Sequence, residues 1–154
     1  MKSNCRVNLM EGVPLSDQEL MSLALDARKR SYCPYSHFAV GAALLAADGR
    51  IYTGCNIENA AYGPSNCAER TAFFKAVSEG ERTFAAIAIA GGAFGCEPDS
   101  YTAPCGVCRQ VMREFCADDF RILCGKSPED YREYTLGELL PESFGPDDLS
   151  AVTD

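Results

Sequence analysis

Positive charge is scarce in this chain: 14 Lys plus Arg stand against 22 Asp plus Glu, a net charge of −8 with the lone His37 neutral. No basic block exceeds Arg28-Lys29-Arg30, which reads as the exposed end of a helix. Nucleic-acid binders place Lys and Arg on phosphates, so no nucleic-acid partner is expected, and a free small molecule suits the acidic balance better. Long apolar runs are missing as well. None approaches the ~20 residues that span a bilayer, and no membrane partner is expected. The first residues, Met1 to Arg6, lack the continuous apolar segment of a secretion signal, so the expected location is cytoplasmic. Internal repeats and low-complexity stretches are also absent. With 154 residues, 47% of them hydrophobic and 23% charged, disorder, collagen and coiled coil are excluded. This length suits one domain over 1–154, with 1–15 a flexible N-terminal extension and 141–154 a tail.

Turn and cap signals divide the rest. Ser16-Asp-Gln-Glu19 has the capping-box pattern ahead of Leu20, Leu23, Ala24 and Ala27. That helix must end before Cys33, because Pro34 disfavours helical geometry in the residue before it. Phe38 to Ala46 reads as a strand, Asp48-Gly49 as a hairpin turn and Ile51 to Asn56 as its partner. A helix from about Cys67 to Glu79 stops at Gly80. The small-apolar run Phe84 to Ala90 fits a strand buried on both faces. Residues 91–103 read as a Gly-rich loop, and a helix follows Pro104 as far as about Cys116. Arg121 to Cys124 reads as a strand and Tyr131 to Tyr134 as a weaker one. Thr135 to Glu138 caps a short last helix ahead of Pro141. The order implies an α/β fold: three layers, α/β/α, around a mixed sheet of about five strands. Sites in such sheets form where helices start beyond the carboxyl ends of strands. If the strands preceding the helices at Cys67 and Cys105 run parallel, the two helix starts converge.

Nine cysteines need a purpose. An odd count without a secretion signal does not suggest a disulfide framework. Cys5, Cys33, Cys55, Cys96, Cys116 and Cys124 show no ligand spacing and read as packing or surface residues. Cys105-Gly-Val-Cys108 differs, because a spacing of three on a helix puts both sulfurs on one face. The positive helix N-terminus also favours thiolate, the metal-ligating form. Alone, the pair fits packing, a redox couple or half a zinc site. Cys67-Ala-Glu69-Arg70 opens the other helix, where Cys67 can be a small buried residue and Glu69 a capping glutamate behind Asn66. Taken with the later pair, Cys67 is a third sulfur at a second helix start. Three protein ligands mark a catalytic zinc with one position kept for water. His37 could close the site as a fourth ligand, although a single His two residues before a strand is more often a local or solvent-facing group. Three thiolates give Zn²⁺ a net charge of −1. Arg70 could offset this by hydrogen-bonding the sulfurs, or be a solvent-exposed helix charge.

Cys67-Ala-Glu-Arg70, followed after a strand by Pro104-Cys-x-x-Cys108, resembles the zinc nucleoside deaminases, and closely the small homotetrameric cytidine deaminases. Tyr32-Cys-Pro-Tyr-Ser-His-Phe-Ala-Val-Gly-Ala42, Gly54-Cys-Asn-Ile-Glu-Asn-Ala60, Pro104-Cys-Gly-Val-Cys-Arg-Gln110 and Glu138-Leu-Leu-Pro-Glu-Ser-Phe-Gly-Pro146 carry the likeness over roughly residues 16–150. The resemblance implies hydrolytic deamination of cytidine and 2′-deoxycytidine in pyrimidine salvage, with one Zn²⁺ per subunit held by Cys67, Cys105 and Cys108. Zinc-bound hydroxide would attack the amino-bearing ring carbon, with Glu69 as the proton shuttle. It further implies Asn56 and Glu58 as ribose ligands and Phe38 as an apolar wall. Ala68 would meet the pyrimidine edge, and Tyr62 and Phe144 would reach a pocket across a subunit boundary of a homotetramer. A related aminohydrolase acting on a cytosine-containing nucleoside antibiotic, or a non-catalytic zinc-stabilised module, are the competing readings. The loop over 91–103, which carries Cys96, is longer than the family pattern.

Overall fold

In the computed structural model, which describes residues 14–149, the chain runs α1 (Asp17–Arg28), β1 (Phe38–Ala46), β2 (Ile51–Cys55), α2 (Ala68–Ser78), β3 (Phe84–Ala93), α3 (Gly106–Phe115), β4 (Arg121–Ser127), β5 (Asp130–Thr135), α4 (Leu136–Leu139) and α5 (Pro146–Leu149). Cys5 and most of the expected N-terminal extension lie outside the described residues, as does the end of the tail. The five strands form one sheet in the order β2-β1-β3-β4-β5. β3 and β4 pair parallel and every other pair is antiparallel. The expected mixed α/β/α layering is present.

Side-chain alternation builds the layers. Ile87 and Ile89 of β3, with Ala42, Leu44 and Ala46 of β1, join Ala68, Ala72 and Phe73 of α2 and Met112 of α3 in one core. The intervening Ala86, Ala88 and Ala90, with Ala43, pack on Leu20, Met21 and Ala24 of α1. Small residues on that second face let α1 lie very close. A Cβ at Gly41 would fall 2.0 Å from the Ala24 carbonyl oxygen. Phe73, fully buried, meets Phe84 edge-on at 5.0 Å and stacks on Phe115 at 6.2 Å.

The expected capping boxes form at both places. Ser16 Oγ accepts from Glu19 N at 3.1 Å while Glu19 Oε2 accepts from Ser16 N at 2.8 Å, and Thr135 and Glu138 repeat the exchange. Gly49 closes the hairpin at φ 91.

One expectation needs correction. Gly91 and Gly92 belong to β3 and not to a loop, because β1 still pairs with them through Val40 and Ala39. Glycine is needed there for close approach: a Cβ at Gly91 would lie 2.6 Å from Thr102 Oγ1. The expected strand at Tyr131 to Tyr134 is present as part of β5, paired with β4 from Arg121 to Ser127. Past Pro141 the tail carries one turn of helix, Pro146–Leu149.

Candidate metal centre and active site

β2 and β3 are both antiparallel to β1 and so point the same way. The helices that follow them, α2 and α3, therefore start on the same side of the sheet. Cys67 is the N-cap of α2 and Cys105 the N-cap of α3, and neither side chain makes a capping hydrogen bond. Their sulfurs are left for each other. Cys67 Sγ lies 3.8 Å from Cys105 Sγ, which lies 3.5 Å from Cys108 Sγ, and all three are within 4.8 Å of one another. A tetrahedral zinc with Zn–S near 2.3 Å requires sulfurs about 3.8 Å apart. The donor set fits the metal in both chemistry and spacing. His37 is not one of the cluster. It sits exposed in the turn before β1 at φ 57, with its carbonyl accepting from Phe94 N at 2.8 Å.

Arg70, the third residue of α2, turns back over the sulfurs. Its Nη2 donates to Cys67 Sγ at 3.2 Å, and its buried Nε has no hydrogen-bond partner among the described residues. The guanidinium thus faces the sulfurs and is not a solvent-exposed helix charge. The neighbouring Cys108 thiol, then the Arg70 donor, hold the Cys67 thiol well below its ordinary range. Proximity to Cys67 and burial push Cys108 up. In an uncharged cluster one sulfur ionises at the expense of its neighbour.

Glu69 is 4% exposed. Burial, then the charge of Cys67, push its carboxyl up to about 7. The capping alternative for this residue fails, because Cys67 and not Asn66 is the N-cap. Asn66 instead donates from Nδ2 to Thr71 Oγ1 at 3.3 Å. A carboxyl sealed from water beside three sulfurs, with no capping duty, is placed to hold and release a proton.

The residues expected to contact a nucleoside lie on the elements around this centre. Ala68 opens α2 and is fully buried. Asn56, just past β2, extends the pairing with β1 through its side chain: Oδ1 accepts from Val40 N and Nδ2 donates to Phe38 O, both at 2.8 Å. Glu58 is gripped by the turn before β1. Its Oε1 accepts from Tyr35 N and Ser36 N at 3.0 Å, and its Oε2 accepts from Ser36 Oγ at 2.5 Å. Those donors, the Ser36 hydroxyl first, hold its carboxyl below the usual range. Phe38 opens β1 and is 40% exposed, so it is not a core strand residue. Tyr62 and Phe144 are also exposed, at 77% and 60%. Tyr62 meets Tyr35 edge-on at 6.2 Å. The sequence reading missed Ser36 and the tail-binding face of α3, although Ser36 and Arg109-Gln110 lie inside motifs it quoted.

Three cysteine sulfurs, a fourth zinc position open to water by the metal's coordination chemistry, and a buried carboxyl beside them define the class: a catalytic zinc hydrolase centre at two helix starts. The model of the cytidine and deoxycytidylate deaminase zinc-binding region matches residues 14–124. The chain is 49% identical over 137 residues to a cytidine deaminase of Sporosarcina psychrophila, covering 89% of this chain and 97% of that one. It is 49% identical over 133 residues to one from Halalkalibacterium halodurans, covering 86% and 97%. The crystal structure of cytidine deaminase from Burkholderia pseudomallei superposes with a TM-score of 0.77 at 45% identity, covering 84% of this chain and 100% of that one. This chain belongs to the cytidine deaminase family, and its Cys67, Cys105 and Cys108 cluster, which lies within the matched zinc-binding region, fits one zinc per subunit.

Proposed function

We propose that the protein hydrolyses cytidine and 2′-deoxycytidine to the corresponding uridines and ammonia, as a step of pyrimidine salvage. One observation carries this reading: the sulfurs of Cys67, Cys105 and Cys108 converge beside the buried, uncapped carboxyl of Glu69. Zinc in such a site lowers the pKa of a water from 15.7 toward about 7. Glu69 takes a proton from the attacking water and delivers it to the ring nitrogen beside the amino-bearing carbon. That protonation makes the carbon electrophilic. The same carboxyl, again ionised, takes the proton left on the newly added hydroxyl and passes it to the amine. The ring carbonyl forms as the carbon–nitrogen bond breaks and ammonia departs. One group serving successive transfers needs exclusion of bulk water, and its 4% exposure meets that need. Arg70 tempers the charge of the three thiolates by donating to Cys67.

In this reading Asn56 and Glu58 bind the ribose hydroxyls, Phe38 walls the pocket and Ala68 meets the pyrimidine edge. Support for Glu58 comes from the turn that holds its carboxylate in one orientation. A fixed negative charge there also repels a 5′-phosphate. Tyr62 and Phe144 complete a pocket on a neighbouring copy within a homotetramer, each copy being one catalytic domain. Their exposure in a single chain supports this, and symmetric closure is the common rule for soluble oligomers. The free thiols, Cys96 exposed among them, suit the reducing cytoplasm. No helix among the described residues is long and apolar enough to cross a membrane.

The test is direct. Purified protein is offered cytidine, deoxycytidine, cytosine and deoxycytidylate, and the ultraviolet change on deamination is followed. Turnover of the two nucleosides is expected, and none of them reacting would overturn the reading. Light scattering that finds an active monomer would remove the shared pocket.

A further inference from the structure

We propose that Gln110, on the face of α3 turned toward the tail, is a positioning residue that holds Phe144 ready for the substrate. The proposal rests on the reading of Phe144 as a cover for the nucleoside base. Arg109 and Gln110 directly follow the last zinc ligand in sequence, and nothing in the chemistry above uses them.

The same helix that presents Cys108 to the metal grips the tail from its other side. Arg109 Nη1 donates to the Leu139 carbonyl at 2.7 Å, and its Nε donates at 2.7 Å to the carbonyl of Pro104, the residue just before Cys105. Gln110 Nε2 donates to the Phe144 carbonyl at 2.9 Å. One turn on, Arg113 Nε donates to Ser143 Oγ at 2.7 Å. Its Nη2 is anchored on Asp118, and its stem lies under the tail, where a Cβ on Gly145 would sit 3.0 Å from Cγ and Cδ. Downstream, Gly145 N donates to Asp148 Oδ2 at 2.8 Å.

The backbone of the tail carries the mark of these contacts. Glu142 has φ 52, a conformation L-residues adopt only when their surroundings over-determine it. The Phe144 ring itself stays 60% exposed. Its main chain is fixed and its side chain is free, the arrangement of a preformed binding element. A segment already ordered gives up less conformational entropy when it closes on a ligand. Loosening it therefore weakens substrate binding and leaves the chemistry at Glu69 alone.

The experiment uses the full-length zinc-loaded enzyme with cytidine, comparing wild type, Gln110→Glu, Gln110→Met, Phe144→Ala and the double variant Gln110→Glu/Phe144→Ala. Gln110 is exposed, so its variants should fold. Glu removes the donor at constant shape, and Met removes it without adding charge. Both are expected to raise KM by about 2- to 10-fold, the worth of one hydrogen bond, with kcat within twofold and zinc content unchanged. The double variant should have the KM of Phe144→Ala, because Gln110 acts only through Phe144. Multiplying effects in the double variant, or a fall in kcat or zinc with KM unmoved, would overturn the proposal. If Phe144→Ala raises KM while both Gln110 variants match wild type, the positioning role alone fails. If Phe144→Ala leaves KM at the wild-type value, the reading of Phe144 fails and the positioning role with it.

Discussion

Replacing Glu69 by Gln tests the centre of the mechanism, because it removes one capacity and little else. The carboxyl is 4% exposed, and it caps nothing, Cys67 being the N-cap of α2. It is not one of the three sulfur donors that fit the metal. Gln keeps the shape and the hydrogen-bonding reach of Glu but cannot carry a proton. Zinc content and fold should therefore persist. Burying a charged carboxyl is costly, so the neutral amide should leave the melting temperature equal or slightly higher. Turnover should collapse. A positioned acid or base contributes ~10²–10⁴-fold, equivalent to about 3–5 kcal/mol of barrier at 1.36 kcal/mol per decade. Successive proton transfers through one group place the loss at the upper end or beyond. The assay is the ultraviolet change with cytidine at saturating concentration, alongside metal analysis and a thermal melt of the same preparation. More than about a tenth of the wild-type rate remaining, far short of that range, would refute the assignment, and so would a loss explained by missing zinc.

Three further outcomes follow from particular contacts. Cys67→Ala, Cys105→Ala or Cys108→Ala each leaves two of the three sulfurs, and metal analysis should find zinc lost together with thermal stability, since site formation is coupled to folding. Gly41→Ala would press a methyl to within 2.0 Å of the Ala24 carbonyl oxygen; overpacking typically costs 1–3 kcal/mol, and a backbone clash of this kind should exceed about 3 kcal/mol and appear as a much lower urea midpoint or as insoluble protein. Burial pushes the Cys116 and Cys124 thiols up to about 12 from an ordinary 9.0; a raised folded value means stability intact below pH 9 and lost as pH climbs toward 12. Urea midpoints should fall across that interval, and Cys124→Ala should fall less steeply than wild type. Equal slopes would refute the burial argument for Cys124.

Local signals alone were enough for the elements with chemistry in their own sequence. Ser16 with Glu19 and Thr135 with Glu138 form their capping boxes because each exchange closes within one turn. Gly49 and Gly80 take positive φ where a turn and a helix end demand it. Cys105 and Cys108 needed only helical spacing to meet. The resemblance of five motifs likewise sufficed to point to the family. What lay beyond reach depends on partners distant in sequence. Gly91 and Gly92 look like loop residues until Ala39 and Val40 of β1 pair with them. Position alone did not decide Arg70; the nearness of its guanidinium to Cys67 did. Nothing local marks what holds the tail after Pro141; donors on α3, 30 or more residues earlier, do so. Glu69 is the clearest division. Its neighbour Cys67 could be read from the sequence as a candidate ligand, but whether Glu69 was an exposed cap or a buried acid turned on the parallel course of β2 and β3. That course brings two helix starts together and seals one carboxyl from water.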